Sequence, residues 1–143
     1  MLKMLIAVDG SAHARRAIDT VARLAPQVKD GIRAVLLNVG EPMLYYGDLP
    51  PFDYESFERM QRQQQERLLE DAAADARAGG LQEVSTQSAV GEPATEILRV
   101  AREHAVDQIV MGTHGRGQLG TLFLGSVAQR VLQGAPVPVL LVR

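Results

Sequence analysis

Apolar runs and amphipathic segments alternate along this chain of 143 residues. Residues 3–8 form a short apolar run closed by Asp9-Gly10, which reads as a buried strand. Ser11 is placed to cap a helix running to about Val28, with Ala14, Ala17, Ile18, Val21, Ala22 and Ala25 on one face. Asp30-Gly31 ends it, and residues 33–39 form a second strand. After a loop with Pro42, Gly47, Pro50 and Pro51, the spacing predicts a helix over 54–78, with Phe57, Met60, Leu68, Ala72 and Ala76 inward. Gly79-Gly80 stops it. Residues 83–89 make a weaker, polar strand suited to a sheet edge. Pro93 opens a third helix whose apolar stripe is Ile97, Leu98, Ala101 and Ala105. A fourth strand over 108–111, a helix over 127–133 and a last strand over 137–142 complete the pattern.

That order is strand–helix repeated, without a final helix. It predicts one α/β domain over residues 1–143: a single open five-stranded parallel sheet with helices on both faces and right-handed crossovers. In such sheets ligands bind at the carboxyl ends of the strands, where the strand order reverses. Asp9 ends the first strand and Gly112 ends the fourth. If those strands are neighbours, both residues face one crevice.

The chemistry concentrates after strand four. Gly112, Gly115, Gly117 and Gly120 follow closely on one another, and Gly125-Ser126 stands at the entrance of the last helix. Glycines allow a close backbone approach, and exposed N–H groups at a helix N-terminus suit an anion, above all a phosphate. Residues 108–143 contain no Asp or Glu but do contain His114, Arg116, Arg130 and Arg143. The triplet Gly115, Gly117, Gly120 matches the dinucleotide pattern G-x-G-x-x-G only weakly. That pattern belongs after the first strand, with an acid about 20 residues later. The phosphate loop ending in Gly-Lys-Ser/Thr is absent, since no Lys follows Lys29. The plain alternative is a flexible surface loop between strand and helix.

Composition narrows the classes. A formal charge of −2 gives no sign of a general nucleic-acid-binding protein. With no cysteine, disulfides and thiolate chemistry are excluded, and a cytoplasmic location is expected. The apolar start, cut off by Asp9, is too short for a signal peptide, and no segment is long enough to span a membrane.

The chain resembles the universal stress protein family over its whole length. The ATP-binding members of that family carry Gly-x2-Gly-x9-Gly-Ser/Thr, and Gly112, Gly115, Gly125 and Ser126 have that spacing. The flanking Met111 and Val127 fit, as does the opening Ile6-Ala-Val-Asp-Gly-Ser11. The resemblance implies a Rossmann-like fold of the adenine nucleotide alpha hydrolase type. It also implies bound ATP, with any Mg²⁺ arriving on the nucleotide. Asp9 and the backbone at Ala7, Val8 and Val39 would hold the adenosine end, with adenine in an apolar slot between the ends of strands one and two. Gly112 and Gly115 would underlie the ribose and inner phosphates. Gly125, Ser126 and Val127 would offer N–H groups to the outer phosphates.

Several residues have plainer roles as alternatives. The plainer role for Asp9, second to the ligand role, is that of a cap or turn residue. His114 reads as a solvated loop residue ahead of a residue that aids catalysis, and Arg116 either steadies a phosphate or is solvated. His13 and His104 read as surface helix positions, and Gln63-Gln64-Gln65 as a polar helix face. No His/Asp/Glu cluster has metal-ligand spacing. Five of the six aromatic residues, Tyr45, Tyr46, Phe52, Tyr54 and Phe57, fall in the connection after strand two. They are expected to anchor that loop, or else to form a flap or a partner surface. The leading functional expectation is a small regulatory protein of the stress response whose ATP state alters its partners. It is expected to form a homodimer through the last strand. The alternatives are a slow ATPase or self-phosphorylating enzyme, and a nucleotide-independent structural dimer.

Overall fold

The computed structural model describes residues 1–42, 53–114 and 124–143. Five strands form one sheet: β1 (Leu2–Ala7), β2 (Ile32–Gly40), β3 (Glu83–Val90), β4 (Gln108–Gly112) and β5 (Val139–Val142). All pairings are parallel, in the order β3-β2-β1-β4-β5. β1 is therefore central. The chain winds outward from it first to β2 and β3, then returns to its other side through β4 and β5. The order reverses between β1 and β4, which pair from Met4↔Gln108 to Ile6↔Val110.

Among the described residues four helices cover the two faces: α1 (Ala12–Leu24), α2 (Tyr54–Ala78), α3 (Pro93–Glu103) and α4 (Ser126–Gly134). Met4, Ile6, Leu36 and Val110 point to the face covered by Ala17, Ile18 and Val21 of α1 and by Leu69, Ala73 and Ala76 of α2. Leu5, Val35, Leu37, Ile109 and Met111 point to the opposite face, against Ile97 and Val100 of α3 and Ala128 and Val131 of α4. Covering both faces explains why the central strands read as unbroken apolar runs. β3, at an edge, alternates between half-buried and exposed residues, as its polar sequence predicts.

The differences from the predicted elements have local causes. α1 stops at Leu24 rather than near Val28, because Pro26 cannot continue the ladder; Ala25–Gln27 tightens into a 3₁₀ turn. No residue of α2 before Gln65 is buried, so Met60, placed inward by spacing, is 58% exposed. The sheet anchors only the second half of that helix. α3 ends at Glu103, and Ala105 lies beyond it at φ 47°, exposed rather than on the apolar stripe; buried Ala94 and Val100 complete that stripe instead.

Candidate functional site

The reversal of strand order opens a cleft of about 1080 Å³ at the carboxyl ends of the strands. Ala7, Val8 and Asp9 from the end of β1 line it, with Val39 from β2 and Met111, Gly112 and His114 from β4 and the turn after it. Gly125, Ser126 and Val127 enter it from the start of α4. Gly115 and Arg116, also expected there, lie outside the described residues, as do Tyr45, Tyr46 and Phe52 of the aromatic segment.

The helix starts are not alike. Ser11 caps α1 by accepting a hydrogen bond from the Ala14 N–H at 3.2 Å, Asp53 caps α2 through the Ser56 N–H, and Glu92 caps α3 through the Ala94 and Thr95 N–H groups. α4 begins behind Gly125 with no side-chain cap. Its first-turn N–H groups and the positive end of its dipole therefore face the cleft without a carboxylate or hydroxyl acceptor at the cap position. This is the arrangement that receives an anion.

Two backbone hydrogen bonds hold that helix start. The Gly125 N–H donates to the Thr113 carbonyl at 2.8 Å, and the Thr113 N–H donates to the Val142 carbonyl at 2.9 Å. The end of β4 thus links α4 to the edge strand β5. The glycines here answer to the protein's own packing. A Cβ on Gly125 would lie 2.9 Å from the Thr113 carbonyl oxygen, although its φ of −61° suits any residue. A Cβ on Gly112 would lie 2.6 Å from Cβ of His13.

His13 is accordingly not a surface residue. It is half-buried in the first turn of α1, packed on the end of β4, with its ring centroid 5.4 Å from that of His114. Its Nδ1 is buried and, among the described residues, has no hydrogen-bond partner. Burial pushes its pKa below the ordinary imidazole value, helped by the nearby Arg16 and His114 and opposed by Asp9. His114, expected to be solvated, is only 9% exposed, and its Nδ1 lies 3.0 Å from the Thr113 hydroxyl. The contact between α1 and the end of β4 buries His114 and half-buries His13, and nothing in the local sequence announces it.

Asp9 spends one carboxylate oxygen on the Ser11 N–H, at 2.8 Å. That bond fixes the turn between β1 and α1 while the residue still lines the cleft. The turn role and the cleft position are thus compatible.

Between the ends of β1 and β2 the lining is more polar than expected. Asn38, 7% exposed, donates from Nδ2 to the Val8 carbonyl at 2.8 Å. Gln65, 5% exposed, reaches in from α2 and donates to Asn38 Oδ1 at 3.0 Å and to the Ala89 carbonyl at 2.9 Å. These two amides tie together the ends of three strands. Its polar neighbours in the sequence place Gln65 on a polar helix face. Its burial follows from the direction of α2, which local pattern does not reveal.

Glu92 was also missed. Besides capping α3, it accepts from Arg130 Nη1 of α4 at 3.1 Å. Hydrogen bonding, first from the Thr95 hydroxyl and then from the Thr95 and Ala94 N–H groups and Arg130, overcomes partial burial and lowers its carboxyl pKa to about 2. Arg130 is thus paired with a carboxylate, at the other end of α4's first turns. Among the described residues no group of three or more His, Cys, Asp or Glu is placed to hold a metal ion.

Fold and site together define an open parallel α/β protein of the Rossmann-like class, with a helix start that lacks a side-chain cap at its switch point. The chain belongs to the universal stress protein family, whose model matches residues 1–143. A universal stress protein of Thermus aquaticus is 40% identical over 98% of this chain and 97% of its own length. The crystal structure of a universal stress protein family member from Burkholderia pseudomallei superposes with a TM-score of 0.76 at 30% identity, covering 98% of this chain and 94% of that one. The universal stress protein of Archaeoglobus fulgidus in complex with dAMP shares the fold, with a TM-score of 0.67 at 23% identity, covering 100% and 98% of the two chains. Among the described residues no helix is long and apolar enough to cross a membrane.

Proposed function

We propose that this protein binds an adenine nucleotide, ATP with Mg²⁺, and acts as a small cytoplasmic regulatory protein of the stress response. Its nucleotide state would be what its partners read. The observation that carries the reading is the uncapped start of α4, set at the switch point beside Gly112 and Asp9. The dAMP complex of the Archaeoglobus fulgidus protein supports an adenine nucleotide in this fold. Asp9 and the backbone of Ala7, Val8 and Val39 would hold the adenosine end. Gly112, Gly115, His114 and Arg116 would flank the inner phosphates, with Met111 beneath. Gly125, Ser126 and Val127 would hold the outer phosphates. The nucleotide's own phosphates would supply the Mg²⁺ ligands.

The assembly proposed is a homodimer through β5. β5 lies at the sheet edge, its four residues are apolar and half-buried, and its one sheet neighbour is β4. An apolar edge strand leaves N–H and C=O groups free to pair with a second copy.

The test is thermal melting of ligand-stripped protein with and without ATP–Mg²⁺. At 100 times the dissociation constant, binding adds about 2.7 kcal/mol, which for this size raises the melting temperature by roughly 5 to 10 °C. The absence of a shift with any adenine nucleotide removes the reading. Light scattering at micromolar concentration tests the assembly, and a monomer mass rejects the dimer.

A further inference from the structure

We propose that His13 is a positioning residue through which pH controls nucleotide affinity. This inference rests on the nucleotide reading above and deepens it. Of the residues assigned to the phosphates, His13 packs on Gly112 and faces His114, and it acts through them.

The geometry is a seat. Helix α1 places the His13 side chain on the bare Cα of Gly112, where no side chain would fit. The His13 ring lies 5.4 Å from the His114 ring, inclined at 51°. Its Nδ1 is enclosed and, among the described residues, has no hydrogen-bond partner. The neutral ring tolerates this enclosure. A proton on Nδ1 would bring an N–H and a charge into a place where neither is satisfied.

The groups facing the ring, among the described residues, oppose that charge on balance. Arg16 lies on the same helix, its Nε donating to the Arg143 carbonyl at 2.7 Å. His114 faces the ring from the end of β4, and Asp9 from the turn between β1 and α1. Asp9 alone favours the charge, and one of its carboxylate oxygens accepts from the Ser11 N–H. Burial, Arg16 and His114 together outweigh it, so the seated ring holds a proton less readily than a free imidazole does. Protonation is therefore more favourable when the ring leaves its seat.

What the seat supports is the start of α4. Residues 112–114 pack under His13, and the Thr113 carbonyl in the middle of that segment holds the Gly125 N–H. Unseating His13 loosens the segment that aims the uncapped helix at the cleft. Nucleotide at α4 then favours the seated, neutral ring, and acid favours the unseated, charged one. The coupling is reciprocal: acid weakens nucleotide binding, and nucleotide lowers the His13 pKa.

The experiment measures ATP–Mg²⁺ binding calorimetrically from pH 8 to pH 5.5, for wild type, His13→Asn and His13→Gln. The variants cannot take up the proton, and the comparison cancels the nucleotide's own titration. Wild-type affinity should fall roughly three- to tenfold more than that of either variant over this range, as expected for one linked proton. Near pH 6, wild type should release a proton on binding that the variants do not release. In wild-type protein, NMR titration of the His13 ring should show a lower pKa with nucleotide than without, which needs no variant to fold. Binding at pH 8 with an unchanged His13 pKa, or with one pH profile shared by all three proteins, overturns this inference alone. No binding at pH 8 overturns the nucleotide reading and takes this inference with it.

Discussion

Gln65 Nε2 donates to Asn38 Oδ1 at 3.0 Å, joining the middle of α2 to the end of β2 beneath the cleft. The same amide reaches the Ala89 carbonyl, and Asn38 in turn holds the Val8 carbonyl. One helix residue therefore sets the relative positions of the ends of β1, β2 and β3. Replacing it with leucine leaves buried acceptors on Asn38 and Ala89 unpaired. Gln65→Leu should lose about 1–3 kcal/mol, lowering the melting temperature by roughly 3 to 10 °C. Urea unfolding checks the value, and wild-type stability in the variant would show that the amide relay contributes nothing.

Gly125→Ala separates stability from binding. The φ of −61° allows alanine, so no backbone strain is added, but the new Cβ meets the Thr113 carbonyl 2.9 Å away. The start of α4 must shift, weakening nucleotide binding at least tenfold while the apo protein stays folded. Ser126→Ala leaves the backbone donor in place and loses one hydroxyl contact. It should cost about 1–2 kcal/mol of affinity. Equal affinities for wild type and both variants by calorimetry would move the phosphate site away from α4.

Glu92 gives a pH dependence with a definite sign. Its carboxyl pKa is lowered from 4.5 to about 2 in the fold, so its stabilisation is present above the unfolded value and is lost as pH falls from 4.5 through about 2. The residue is partly exposed, so solvent screening keeps the effect small. Wild type should exceed Glu92→Gln in stability by a constant margin above about pH 5, and the two should converge in acid. Chemical denaturation at stepped pH measures this. A margin unchanged down to pH 2 would deny the carboxylate its role.

Hydrolysis of ATP should be negligible. The cleft presents N–H dipoles, and the sequence offers no lysine after Lys29 and no acid after Asp107 to serve the phosphates. Turnover should fall well below the roughly 1–100 per second of kinases. Phosphate release at such rates, abolished by His114→Ala, would reinstate the enzyme reading.

Most of the fold was legible because burial on two faces leaves a local record. The apolar runs of β1, β2 and β4 and the polar edge β3 each follow from how many sides of the strand meet a helix. The glycine spacing after β4 pointed to the cleft because a strand–loop–helix junction is built from consecutive residues. Gln65, His13 and Glu92 were not legible. Each acquires its role from a partner on a different element: Asn38, Gly112 and Arg130 respectively.

Periodicity, breakers and motif spacing thus determined the order of elements, the parallel sheet and the family, since these depend on neighbours within a few residues. The strand order, with β1 against β4, and the direction of each helix across the sheet were decided by tertiary packing. That packing buried His114 against a half-buried His13, turned Gln65 inward and made Gly112 a contact for α1. A residue's local pattern records whether it faces a core. It does not record which residue, tens of positions away, will stand opposite.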